Sequence, residues 1–249
     1  MVKGVNRIRI PDGVQDMLPV ECYNKRQVEG KLRRVFSLSG YDEVETTGFE
    51  FQEIFMDDAG ENTRKDGIKF IDKDGEVLVL RPELTTSIAR MAASKIESFP
   101  ARFFYIGNAY GNENAYYSSQ REFAQAGIEL LGEGGPEADA EVVAVAIDAL
   151  QQAGMENFRM EIGQVEFFKG LMEESGLTAE ESEGLRILVD QKNDLAIELF
   201  LRERSHGNDA LGENVEELIR CLPTLYGGEE VFTRAAALSA SSRCQRAID

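Results

Sequence analysis

The sequence is poor in the residue types that build metal sites and nucleophilic triads. It has one histidine, His206, and three cysteines, Cys22, Cys221 and Cys244, with no Cys-x-x-Cys pair among them. A zinc site or a histidine-based triad would lack parts, so no metal or cofactor is expected. An odd number of scattered cysteines suits a reducing compartment better than a disulfide framework. His206 stands in Arg204-Ser205-His206-Gly207-Asn208 and reads as an exposed loop residue. Positive charge is also scarce. Against 45 Asp and Glu there are 27 Lys and Arg, a net charge of −18. Nucleic-acid binding draws on Lys and Arg to neutralise phosphates, so tRNA is not an expected partner. The simplest role of the excess acid is solubility. Long apolar runs are missing too. No stretch approaches the ~20 apolar residues that span a bilayer. The opening Met1-Val2-Lys3-Gly4-Val5-Asn6-Arg7-Ile8-Arg9-Ile10 lacks the apolar centre of a secretion signal. No membrane partner and a cytoplasmic location are expected.

What is present is an ordinary globular composition, 43% hydrophobic and 29% charged over 249 residues, enough to bury a core without disulfides or metal. Ile10 to Pro19 is turn-rich. Val28, Leu32, Val35 and Phe36 recur at helical spacing and predict a helix over 20–39, ended by Gly40. Residues 43–46 read as a short strand. Alternation in 67–71 and 76–80 around Asp72-Lys73-Asp74-Gly75 predicts a hairpin. A helix is expected over 84–95, and strands over 101–107 and 123–131, joined by a polar loop. Pro136 suits the first turn of a helix over 136–153. A strand over 157–162 and several short amphipathic helices over 165–220 complete the order, which is α+β.

Five segments in this order resemble one known family. Pro11-Asp12-Gly13-Val14-Gln15-Asp16-Met17-Leu18-Pro19 is similar to the opening of histidyl-tRNA synthetases and their relatives. Gly40-Tyr41-Asp42-Glu43-Val44-Glu45-Thr46 resembles the strand of class II motif 1. Leu80-Arg81-Pro82-Glu83-Leu84-Thr85 resembles a stretch that touches the amino acid in those enzymes. Tyr105-Ile106-Gly107-Asn108-Ala109-Tyr110-Gly111-Asn112-Glu113 and Arg121-Glu122-Phe123-Ala124-Gln125-Ala126-Gly127-Ile128-Glu129 resemble the two strands of motif 2. The resemblance covers about residues 8–132. It implies an antiparallel class II synthetase-like sheet flanked by helices over 1–163. A helical insertion over 164–234 and a disordered or aberrant tail over 235–249 would follow, with the C-terminal part of the fold incomplete.

Two branches share these motifs: the synthetases, and the regulatory subunits of ATP phosphoribosyltransferase. Motif 2 of the enzymes carries an arginine that stabilises charge during adenylate formation. The matching position here is Gly111, and the following loop, Asn114 to Gln120, has no positive charge. The resemblance therefore implies a non-catalytic regulatory subunit for the first step of histidine biosynthesis. Its expected partners are a short-form ATP phosphoribosyltransferase catalytic subunit, a second copy of itself in a dimer, and L-histidine as effector. The alternatives are a histidyl-tRNA synthetase or amino-acid-activating paralogue, and an inert fragment. By resemblance Glu83, Thr85, Gln125 and Glu129 bind histidine, with Arg81 and Arg121 balancing the acids. Read without the resemblance, Glu83 is a carboxylate at a helix N-terminus, and Gln125 and Glu129 are paired strand residues in a polar hollow.

Overall fold

In the computed structural model, residues 10–56, 67–111, 120–205, 211–239 and 241–248 are described. The chain forms two compact units, divided between Met160 and Glu161.

The first unit begins with α1 (Pro19–Leu38). Glu21 reaches back to the Leu18 backbone N–H at 2.7 Å and satisfies one open donor of the first turn. Gly40, at φ 85°, ends the helix in the left-handed region, and the Tyr41 N–H closes on the Phe36 carbonyl at 3.1 Å. Two small sheets follow. One contains β2 (Phe49–Phe51), β3 (Lys69–Ile71) and β4 (Val77–Leu80), antiparallel in the order β2-β4-β3. The β3–β4 turn is held by Asp72, whose Oδ1 accepts from the backbone of Asp74 and Glu76 at 2.8 and 3.1 Å. Gly75 supplies the positive φ the turn needs.

The other sheet joins β1 (Asp42–Glu43), β5 (Ala101–Tyr110) and β6 (Glu122–Leu131) in the order β1-β5-β6. β1 runs parallel to β5, and β5 and β6 form a long antiparallel hairpin. The motif 1 strand is shorter than expected, because after Glu43 its pairing reduces to one bond, from the Val44 N–H to the Phe104 carbonyl. α2 (Thr85–Lys95) and α3 (Pro136–Ala153) complete the unit.

Strand periodicity explains how this sheet is covered on both faces. Even-numbered Phe104 and Ile106 pack with Val35 and Phe36 of α1 and Val145 and Ala149 of α3. The Phe36 and Phe104 rings lie 5.4 Å apart. Odd-numbered Tyr105 and Ala109 pack with Leu84 and with Ile88 of α2. Neighbouring Phe104 and Tyr105 are 1% and 4% exposed, so both faces of β5 are closed. The segment expected as a strand over 157–162 has no regular structure. It pairs with neither sheet, and alternation without a partner edge does not make a strand.

The second unit is helical: α4 (Val165–Ser175), α5 (Ala179–Asp190), α6 (Asp194–Ser205), α7 (Glu213–Cys221), α8 (Glu230–Leu238) and α9 (Ser242–Ile248). Its core gathers Phe167, Leu171, Leu185, Ile197, Leu201, Leu218 and Ile219, one or two from each of four helices. The segment expected as a disordered or aberrant tail contains the end of α8 and all of α9. Cys244 is 0% exposed, its thiol donates to the Phe167 carbonyl at 3.2 Å, and Ala247 and Ile248 pack beside it. The spacing 244, 247, 248 is one helical face, hidden in the sequence by the polar Ser239-Ala240-Ser241-Ser242-Arg243 before it.

Candidate functional site

The register of the β5–β6 hairpin assembles the site. Gly107 pairs with Gln125, Tyr105 with Gly127 and Phe103 with Glu129. All six share the odd-numbered face, over which the start of α2 crosses. Four residues separated by up to 46 positions in the sequence thus meet. Thr85 Oγ1 donates to Glu129 Oε1 at 2.8 Å, and the Leu84 N–H donates to Gln125 Oε1 at 3.2 Å. Glu83 accepts from the Thr86 N–H through both carboxylate oxygens, at 2.9 and 3.1 Å. It is therefore the N-terminal carboxylate of α2, and its charge acts on Glu129 as well.

The electrostatics follow from burial. Glu129 has its pKa raised, first by loss of water and further by the charge of Glu83, while hydrogen bonds from Thr85 and Tyr105 pull it down. Among the described residues no cation contributes to that shift. Burial likewise pushes the Tyr105 hydroxyl up, so it stays protonated and able to donate. Two carboxylates thus lie near each other, an arrangement that suits a ligand carrying an ammonium or a protonated ring nitrogen.

Arg81, expected to balance the acids, turns its side chain to backbone carbonyls. Nε donates to Asn108 O at 2.8 Å, and Nη1 to Thr46 O at 2.9 Å and Thr47 O at 3.3 Å. Its own carbonyl accepts from the Tyr110 N–H at 2.9 Å. Arg81 therefore pins the end of the motif 1 segment to β5. Gly107 makes room for it: a β-carbon there would lie 2.8 Å from Arg81 Nη2. Arg121 binds the N-terminal strap through its backbone, the N–H donating to Gly13 O at 2.6 Å. Beyond it, Thr47 donates to Glu50 at 3.0 Å, and Glu50 pairs with Arg90 of α2 at 2.8 Å.

Gly111, where the enzymes carry arginine, has an unstrained backbone and no described heavy atom within 4 Å of the position a β-carbon would take. The fold does not demand a glycine there. Of the loop Asn114 to Gln120, residues 114–119 lie outside the described residues, as does His206. Among the described residues no group of His, Cys, Asp and Glu is placed to hold a metal, and no helix is long and apolar enough to cross a membrane. A cleft of ≈ 430 Å³ opens elsewhere, lined by Gln15, Lys25, Asn108, Gln120 and Glu122. None of Glu83, Thr85, Gln125 and Glu129 lines it.

Sequence reasoning missed Tyr105 and Gly127. Tyr105 accepts from Gln125 Nε2 at 3.4 Å, and its ring lies over Gly127. Parity was the available signal: in any register that pairs Gly107 with Gln125, Tyr105 lands on the same face as Gln125 and Glu129.

A long antiparallel hairpin backed by α1 and α3 on one face, with Glu83 and Glu129 beside a short helix on the other, defines a class II aminoacyl-tRNA synthetase-like core. Residues 13–249 match the family described as histidyl-tRNA synthetase, and the chain belongs to that family. Two relatives are named ATP phosphoribosyltransferase regulatory subunit. The one from Acetivibrio thermocellus is 44% identical over 98% of this chain and 57% of its own length. The one from Thermoanaerobacter sp. is 42% identical over 97% of this chain and 62% of its own. A solved structure described as an ATP phosphoribosyltransferase regulatory subunit/histidyl-tRNA synthetase from Bacillus halodurans superimposes with a TM-score of 0.85. It is 30% identical, over 98% of this chain and 62% of that one. The chain thus spans about three fifths of the length of the relatives it matches.

Proposed function

We propose that this chain acts as a regulatory subunit of ATP phosphoribosyltransferase, a non-catalytic partner that activates a short catalytic subunit and relays inhibition by L-histidine. One observation carries the reading. Thr85 bonds Glu129 and Gln125 bonds the α2 N-terminus, which supports reading these residues as the amino-acid side of a pocket. The position that should bear the ATP-binding arginine is Gly111, where no described heavy atom lies within 4 Å of a β-carbon. Removing one such charge partner costs roughly a hundredfold or more in rate. A protein that keeps the receptor and drops the activation chemistry is suited to sensing an amino acid. The names of its relatives support the same reading.

In this proposal Glu83 and Glu129 receive the α-ammonium and ring nitrogen of histidine, and Thr85 and Gln125 orient it. Arg81 supports the pocket through the backbone. Histidine binds one state of the complex better and shifts the catalytic partner toward an inhibited form, by an amount set by the difference in affinity. A dimer through α1 and the motif 1 segment, a helical insertion formed by the second unit, and a cytoplasmic location belong to the same proposal.

Reconstitution tests it. Phosphoribosyl transfer by the short catalytic subunit from the same source is measured with and without this chain, then with added histidine. Activation that histidine reverses is the expected result. Soluble, folded protein without effect overturns it, and histidine-dependent exchange of pyrophosphate into ATP would establish the synthetase instead.

A further inference from the structure

We propose that the cleft beside the N-terminal strap is a second binding site, for a free α-amino acid with an apolar or aromatic side chain. Glu122 and Asn108 receive its ammonium, and Lys25 and Gln15 its carboxylate. The cleft is lined by none of Glu83, Thr85, Gln125 and Glu129, so the proposal stands or falls apart from the histidine-pocket reading.

Three elements build the cleft. Gly13 turns the strap at φ 79°, and its carbonyl accepts from the Arg121 N–H at 2.6 Å, which ties the strap to the start of β6. α1 brings Lys25, and the β5–β6 hairpin brings Asn108 and Glu122. The space between them, ≈ 430 Å³, is of the size that takes a small molecule.

The polar groups of the cleft are held apart rather than paired. Lys25 and Glu122 both line it, yet each is drawn to a different neighbour. Asn108 Nδ2 donates to Glu122 Oε1 at 2.8 Å. Lys25 Nζ leans along α1 to within 3.7 Å of Glu29 Oε1, too far for a hydrogen bond. A carboxylate only accepts, so Asn108 must turn its NH2 group to Glu122, and its amide oxygen remains for another donor. Among the described residues, Glu122 Oε2, Asn108 Oδ1 and the Gln15 side chain have no hydrogen-bond partner. The hairpin thus offers two neighbouring acceptors, while α1 and the strap offer an ammonium and an amide. Poles of opposite sign that do not satisfy each other are satisfied by a zwitterion set between them.

The remaining lining receives the side chain. Met17 and Phe123 are 44% and 36% exposed, and Val14 lines the same cleft from the strap. An aliphatic or aromatic group laid over them removes apolar surface from water.

The test uses the full chain and three probes. These are L-phenylalanine, phenylpropionate, which lacks the ammonium, and phenylethylamine, which lacks the carboxylate. Binding is followed by calorimetry and by the Gln15 side-chain amide resonances. L-Phenylalanine is expected to bind and to shift Gln15, and each analogue to bind at least about tenfold more weakly. Glu122→Gln should weaken L-phenylalanine about tenfold and leave phenylpropionate unchanged. Lys25→Met should weaken L-phenylalanine by a similar factor and leave phenylethylamine unchanged. The analogues on wild type decide the matter if a variant does not fold. Absence of saturable L-phenylalanine binding overturns the proposal, as do analogues that bind as well as the amino acid. Loss of L-phenylalanine binding in Glu129→Gln, with Glu122→Gln unaffected, also overturns it by moving the amino acid to the other group. L-Histidine binding that Glu129→Gln abolishes and Glu122→Gln leaves intact would uphold the histidine-pocket reading whichever way the cleft is decided.

Discussion

Arg81 shows how much one side chain can hold. It is 7% exposed and gives its guanidinium hydrogens to three carbonyls from two separate segments. Removing it leaves those acceptors buried without partners. Arg81→Ala should destabilise the first unit by at least about 3 kcal/mol, read as a lower urea midpoint. Arg81→Lys should recover little, because an ammonium cannot span the same fork. A near-neutral Arg81→Ala would refute the clasp. A second group gives a pH signature. Arg102 donates to Glu141 from Nε and Nη2, both at 2.8 Å, and Tyr41 donates to it at 2.8 Å. The Arg102 bonds, then Tyr41, hold Glu141 down to about 2. A depressed carboxylate contributes stability above its ordinary pKa and loses it as pH falls toward the folded value. Wild type should therefore lose stability between about pH 4.5 and 2 more steeply than Glu141→Gln, measured by urea unfolding at each pH. Tyr41, raised to about 12 mainly by burial, works in the opposite direction, its contribution fading above pH 10. At this scale the sequence was partly legible. Residue type and motif order singled out Glu83, Thr85, Gln125 and Glu129, which the hairpin register and the start of α2 bring near one another. Tyr105 and the true partners of Arg81 were hidden, because both depend on a cross-strand register that neither strand states alone.

Elements with local signals were the easiest to foresee. Gly40 and Gly154 end α1 and α3 in left-handed geometry, and Asp72 to Gly75 turns the β3–β4 hairpin. Each signal is complete within a few residues. β1 and the segment 157–162 were harder, since a strand exists only if an edge is offered to it. α9 was missed for the opposite reason: its apolar face is short and its fit lies on another helix. Gly170 of α4 is where that fit is tightest. A β-carbon there would lie 2.8 Å from Cys244 Sγ and 2.9 Å from the Cys244 backbone nitrogen. Gly184, in the middle of α5, has open space around the same position. The same substitution should then act with opposite signs. Gly184→Ala should stabilise by about 0.5–1 kcal/mol through helix propensity. Gly170→Ala should destabilise by about 1–3 kcal/mol, because backbone must move to admit the methyl. Thermal unfolding of both variants measures this, and equal shifts would mean that α9 does not pack against α4 as described.

At the scale of the whole chain, the order of elements placed the fold in the α+β class, and the motifs placed the hairpin within it. They did not reveal that the buried apolar residues fall into separate sets. The clusters around Phe36 and Phe104, and around Leu84 and Tyr105, draw only on residues of the first unit. Among the described residues, the cluster around Leu171, Leu185, Leu201 and Leu218 draws on residues from 167 to 248. Ion pairs within the second unit link its helices further: Arg220 with Glu198 at 2.7 Å, Arg243 with Glu166 at 2.5 Å, and Arg204 with Glu181. Exposed pairs of this kind add little stability each, so the apolar cluster must carry the unit. A core that closes on itself is the physical condition for independent folding. Residues 161–249 expressed alone should thus give a helical circular dichroism spectrum and a single cooperative urea transition. Leu218→Ala, at a fully buried position, should lower its stability by about 2–5 kcal/mol. In the intact chain the same substitution should leave the protection of β5 and β6 amides from hydrogen exchange unchanged, since the first unit shares none of that cluster. Loss of protection in β5 and β6, or a broad transition in the isolated segment, would mean that the two cores stabilise one another.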